Sequence, residues 1–181
     1  MNTLILHRQW AGTAIRSGSA TLSAMGRHTT GVDIVELDRV AKVLARHPQR
    51  FLARVFTPAE VAHCRGRVPE LAVRFAAKEA TMKALGTGVR GIAWRDIEVL
   101  PNRRGKPLLL LHGTAAARAA SIGLTDVDVT LTHARHYAAA VVVGHVDRWP
   151  EAESTPRGWG SGVRGRGTRG ESFQPPNVLS K

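Results

Sequence analysis

Residues 69–88 read PELAVRFAAKEATMKALGTG, and this run decides how the rest of the chain is organised. Good helix formers fill it from Pro69 or Glu70 to Leu85, and Gly86 stops it. Phe75, Met82 and the alanines mark a packed face, yet Glu79 stands among them. A carboxylate in such surroundings needs a compensating partner, either a cationic side chain or a metal. Arg74, Lys78 and Lys83 supply cations on the same helix. The Gly86-Thr87-Gly88 turn lets backbone approach a bulky ligand closely, but it ends a helix, where the dipole disfavours phosphate. Phosphate there has to be held by side chains or by a metal. Taken singly, the turn is also a plain helix C-cap and the lysines are solvated helix charges.

Upstream, His28 to Leu37 (HTTGVDIVEL) has the β-branched content of a buried strand. Asp33 lies inside it between Val32 and Ile34, a second carboxylate in an apolar setting. Asp38 then reads as an N-cap, with one helix from about Arg39 to Phe51. Its apolar side carries Val40, Val43, Leu44 and Phe51; its other side carries Arg39, Lys42, Arg46 and Arg50, spaced to form one basic stripe. Thr57-Pro58-Ala59-Glu60 has the form of a capping box with proline at the first helical position, opening a helix to Cys64.

Downstream, strands are expected at 97–100, 108–111, 127–132 and 138–144, with a helix at 114–122 and a hairpin turn over 103–107. His133 falls between two strand-like runs, three residues before His136. Helices and strands mix without regular βαβ alternation, so the expected class is α+β.

Composition limits the alternatives. A chain of 181 residues suits one domain. Residues 1–28 read as a poorly ordered extension, 29–146 as the folded domain, and 147–181 as a disordered tail rich in Gly, Arg, Ser and Pro. Of the formal +12, the central segment carries +7, from seventeen basic and ten acidic groups. That favours an anionic partner without choosing one. The single cysteine, Cys64, excludes an internal disulfide and any multi-cysteine zinc site, and fits a reducing cytoplasm. No run is apolar for long enough to span a bilayer.

Gly31-Val32-Asp33-Ile34-Val35-Glu36-Leu37, Arg54-Val55-Phe56-Thr57 with Glu60, Arg74-Phe75-Ala76-Ala77-Lys78-Glu79-Ala80 with Lys83 to Gly88, Gly105-Lys106-Pro107, and Leu131-Thr132-His133 with Tyr137 to Ala140 stand in the order and spacing of a known family. Over residues 30–145 the chain resembles the bacterial holo-acyl-carrier-protein synthases, of the 4′-phosphopantetheinyl transferase type. The resemblance implies a small mixed α+β domain assembled as a homotrimer, with coenzyme A bound between subunits. It implies that Asp33 and Glu79 hold Mg²⁺ with the coenzyme pyrophosphate, and that Asp33, Glu79 and His133 are catalytic. It gives Lys78, Lys83 and His133 to coenzyme phosphates, and Gly86, Thr87 and Gly88 to the coenzyme pocket. The partner is an acyl carrier protein, whose acidic helix would meet Arg39, Lys42, Arg46 and Arg50. The chain departs from the family pattern at Thr29, where glycine is usual, and at Ala134, where some members carry an acid.

Two rival classes predict different behaviour. A nucleic-acid binder, suggested by the Arg-Gly run at 164–169, would lose binding steeply with salt and would not need Asp33 or Glu79. The central segment has no recognised nucleic-acid motif or aromatic platform. A different divalent-metal phosphotransferase would use the same two acids on another substrate.

Overall fold

A computed structural model describes residues 3–4 and 27–147. The chain divides into two units, Met1–Pro150 and Glu151–Lys181, and every described residue lies in the first. The expected extension (apart from Thr3–Leu4 and the stretch from Arg27) and the tail beyond Asp147 fall outside the described residues.

Two three-stranded antiparallel sheets carry the fold. The larger is ordered β2 (Arg27–Glu36), β6 (Tyr137–Val146), β5 (Leu124–His133); the smaller is ordered β1 (Thr3–Leu4), β4 (Pro107–His112), β3 (Ile97–Pro101). Between β2 and β3 lie four helices: α1 (Leu37–Arg46), α2 (Pro48–Val55), α3 (Pro58–Cys64) and α4 (Val68–Ala84). A single-turn 3₁₀ helix (Trp94–Asp96) leads into β3, and α5 (Gly113–Ser121) follows β4.

The decisive run forms α4, the central helix. Alanines at 72, 76, 77, 80 and 84 are buried, so neighbouring elements come close on several sides. The closest approach is at Gly31 of β2. A β-carbon built there would lie 1.9 Å from the Ala80 carbonyl oxygen and 2.9 Å from Ala84 N. Strand and helix backbones therefore touch, and only glycine fits. Thr29, two residues earlier, adds a tie: its Oγ1 donates to the Ala84 carbonyl at 2.5 Å. At its far end α4 stops in a Schellman motif. Gly86 (φ 71°) donates to Lys83 O at 3.0 Å and Thr87 donates to Met82 O at 3.1 Å.

Three local expectations need correction. The helix expected over 39–51 is two helices, α1 and α2, broken at His47 (φ −141°, ψ 56°). The ring of Pro48 disfavours helical geometry for the residue before it and opens a new helix at its own position. Arg50 therefore sits on α2, off the α1 stripe. Asp38 is not the cap: α1 begins at Leu37, whose N–H donates to His136 O at 2.9 Å, and Asp38 lies in the first turn, where its charge suits the dipole. The 28–37 run is a strand buried on one face only within this chain. Gly31, Asp33 and Val35 point towards α4, while Val32 and Ile34 are 56% and 65% exposed.

Candidate active site

Asp33 lies inside β2, an edge strand of the larger sheet, opposite Ala140 of β6. The strand's two-residue period aims it at α4. Its side chain is buried; Oδ1 accepts from Lys83 Nζ at 2.9 Å. Lys83 is held in turn by the Val32 carbonyl at 2.8 Å, while its side chain stays half exposed. The other oxygen, Oδ2, is buried and has no hydrogen-bond partner among the described residues.

Glu79 stands one turn before Lys83 on α4, half buried. Burial, then the Asp33 charge, then the hydrogen bond it shares with Asp33 when protonated, together raise its pKa above the ordinary 4.5; Lys83 and Arg39 pull the other way. The two carboxyls are close enough to act on one another, and with both ionised they repel. Two acidic oxygens with an orphaned lone pair form the donor chemistry that a hard divalent cation takes. Among the described residues, no three His, Cys, Asp or Glu side chains converge on a metal position. A cation here would draw its remaining ligands from water and phosphate, as Mg²⁺ commonly does.

The other expected residues are placed unevenly. Gly86, Thr87 and Gly88 form the turn just beyond Lys83. Gly88 (φ 59°) has open space where a side chain would project. Arg39, Lys42, Arg46 and Arg50 are all exposed, and Arg39 is close enough for its charge to act on Glu79. His133 ends β5 opposite Ala138, which itself pairs with Val35, so β6 separates it from β2. It is exposed and lines an open apolar groove of about 410 Å³ with Ile34, Thr132, Tyr137 and Ala139.

Lys78 is a correction. It is fully buried and does not face the acid pair. Its ammonium donates to Glu60 Oε2 at 2.8 Å, to the Trp94 carbonyl at 3.1 Å and to the Ile97 carbonyl. An ammonium has three donors and all are used, so none remains for a coenzyme phosphate.

Arg118 went unnoticed in the sequence. From α5 its Nε donates to the Leu85 carbonyl at 2.9 Å. It brings a full positive charge to the end of α4, offsetting the dipole that weighs against phosphate there. It lies 33 residues from its acceptor, in an alanine-rich helix with no motif to flag it. Cys64 can be set aside as a nucleophile, since burial pushes its thiol up to about 11.

The family profile of the 4′-phosphopantetheinyl transferase superfamily matches residues 29–142, the span that contains both acids. The holo-[acyl-carrier-protein] synthase of Herpetosiphon aurantiacus is 48% identical over 122 residues, 64% of this chain and 96% of its own length. The chain belongs to the holo-[acyl-carrier-protein] synthase family. Solved structures agree. The Neisseria meningitidis synthase is 35% identical, with TM-score 0.59, covering 64% of this chain and 96% of that one. The Helicobacter pylori synthase, solved in complex with coenzyme A, is 28% identical, with TM-score 0.58, covering 64% of this chain and 98% of that one. The family thus accounts for the domain bearing the acid pair. Among the described residues no helix is long and apolar enough to cross a membrane.

Proposed function

We propose that this protein transfers the 4′-phosphopantetheine group of coenzyme A to a serine of an apo acyl carrier protein, with Mg²⁺ held by Asp33 and Glu79, releasing 3′,5′-ADP. The carrying observation is the buried, partnerless Oδ2 of Asp33 beside a glutamate of raised pKa. Mg²⁺, when bound, neutralises pyrophosphate charge and polarises the phosphoryl group. The chain's own residues do the rest. Lys83, half exposed, can extend from Asp33 towards a phosphate oxygen. The open turn at Gly86–Gly88 admits the coenzyme, and Arg118 offsets the negative helix end behind it. His133 is a further phosphate contact. Glu79 accepts the proton of the carrier serine as its Oγ bonds to the β-phosphorus and the bond to the 3′,5′-ADP oxygen breaks.

The carrier docks on the basic side of α1, with Arg39 nearest the acid pair, then Lys42 and Arg46, and Arg50 on α2 at the margin. Such charges orient and steer more than they bind. The uncovered face of the larger sheet supports a homotrimer: Val32, Ile34, Tyr137, Val141 and Val143 are exposed together, an apolar surface of the kind another copy covers. A coenzyme site at that boundary would bring in donors that one protomer lacks. The reading also assigns residues 29–146 to the transferase domain and the reaction to the cytoplasm.

Mass spectrometry tests the transfer. The apo carrier should gain about 340 Da, one covalent phosphopantetheine on serine, only when coenzyme A and Mg²⁺ are both present. No gain with any apo carrier, fatty-acid or polyketide, would end the proposal. Sedimentation tests the assembly; a monomer at micromolar concentration would remove the trimer.

A further inference from the structure

We infer that Lys78, clamped on Glu60 in the core, is a positioning residue that fixes the roll of α4 and so holds Glu79 against Asp33. The inference rests on the transferase reading of the acid pair and adds a residue that acts through it.

The geometry carries it. Lys78 and Glu60 are both 0% exposed. The three acceptors of the ammonium come from three different segments: Glu60 of α3, the Trp94 carbonyl of the 3₁₀ turn, and the Ile97 carbonyl of β3. Glu60 is equally occupied, taking Thr57 N at 2.8 Å on Oε2 and Val99 N at 3.0 Å on Oε1. No atom of the cluster is left unmatched, which is the condition under which a buried polar network rigidifies its surroundings.

Other ties hold the helix before and after Glu79, Arg74 Nε to the Val99 carbonyl at 3.1 Å and Thr29 Oγ1 to the Ala84 carbonyl at 2.5 Å; the Lys78 clamp is the one that stands next to Glu79 in sequence. Glu79 is the next residue along, and its carboxyl stands roughly 5–6 Å from the helix axis. A roll of about 10° therefore moves that carboxyl by about 1 Å, several times the tolerance of a metal–ligand distance. A buried ion pair is seldom the most stabilising filling for a core. Its value here is that it permits a single roll angle.

The test uses the full chain with Glu60→Gln and Lys78→Met together. The amide oxygen keeps an acceptor for Val99 N–H, while its NH2 replaces the oxygen that accepts from Thr57 N–H, so the variant gives up that cap bond together with the cation. Coenzyme A binding is followed by calorimetry across a Mg²⁺ titration. In the folded double variant the Mg²⁺ concentration for half-maximal coenzyme binding should rise about tenfold, the range seen when residues behind a metal ligand are lost, while the carrier KM stays within about twofold. A folded double variant with wild-type Mg²⁺ dependence overturns the inference. Should that variant fail to fold, Glu60→Asp keeps the charge pair but shortens it by one methylene. It should raise the same Mg²⁺ requirement several-fold, and an unchanged requirement overturns the inference equally. Lysine acylation mapped by mass spectrometry is a third arm: Lys78 should stay unmodified with and without coenzyme, and modification of free protein with protection by coenzyme overturns it. If wild-type protein shows no Mg²⁺-dependent coenzyme binding, the transferase reading fails instead, a separate outcome.

Discussion

Lys78 and Glu79 are adjacent in sequence, yet they stand in opposite electrostatic conditions. Around Lys78 every donor meets an acceptor and every charge a counter-charge, in complete burial. Around Glu79 two acids crowd together and one buried oxygen has nothing to bond. A buried polar group normally finds its partners, and one that does not calls for an explanation. On α4, Lys78 is fully matched, while Glu79 shares its surroundings with a second acid. Burial or charge alone would not have separated them.

Substitution should divide along the same line. Asp33→Ala is expected to lower transfer by about 10³-fold or more, since on the proposed mechanism it removes a ligand of the Mg²⁺ that works on the phosphoryl group, while thermal unfolding stays near wild type. Transfer assays and calorimetry on one preparation check both halves. Transfer within tenfold of wild type would break the assignment. Next in size, Lys78→Met alone should cost about 3–5 kcal/mol of stability, because it strands the Glu60 carboxylate in the core. Urea unfolding reads this directly. A loss under 1 kcal/mol would mean the cluster is wetter than its geometry implies.

How far the sequence foretold this contrast depends on how local each signal was. The Thr57–Glu60 capping box was legible in four residues and forms as read. So were the α4 stop at Gly86 and the two acids, each betrayed by apolar neighbours. Lys78 misled because its partner lies 18 residues away and already had a local role in the capping box. Periodicity cannot show that a helix is covered on nearly every side. The break at His47 was present in the sequence as Pro48, but the spacing of the basic residues masked it. Val32 and Ile34 mark the limit: an apolar strand tells that both faces want covering, not that one chain covers only one of them.

The basic stripe offers a smaller effect that sharpens the contrast from outside. Arg39→Glu should raise the carrier KM about tenfold, a loss of order 1.4 kcal/mol in orientation and steering, with coenzyme affinity within about twofold. Arg50→Glu should do less, because the helix break takes it off the α1 line. Steady-state kinetics with a purified apo carrier decides. Equal effects at the two positions would mean that the carrier contacts α1 and α2 alike.

The smallest expected effect concerns stability and has the opposite sign to the loss of activity. The folded-state pKa of Glu79 lies above its ordinary 4.5, so ionising it costs more in the folded chain than in the unfolded one. Below that ordinary value the group is protonated in both states and no penalty exists. The penalty enters as pH rises through the raised pKa and is constant above it. Glu79→Gln removes the titration. In metal-free buffer the variant should therefore melt roughly a few degrees higher than wild type at neutral pH, with the gap closing as pH falls towards 4.5. Adding Mg²⁺ should close it from the other side, by stabilising wild type alone. A gap independent of both pH and metal would mean that the carboxyls do not repel and that Asp33 Oδ2 has a partner after all. The Lys78 cluster offers the control, since no neutral replacement there should stabilise the protein by relieving repulsion: its charges already attract.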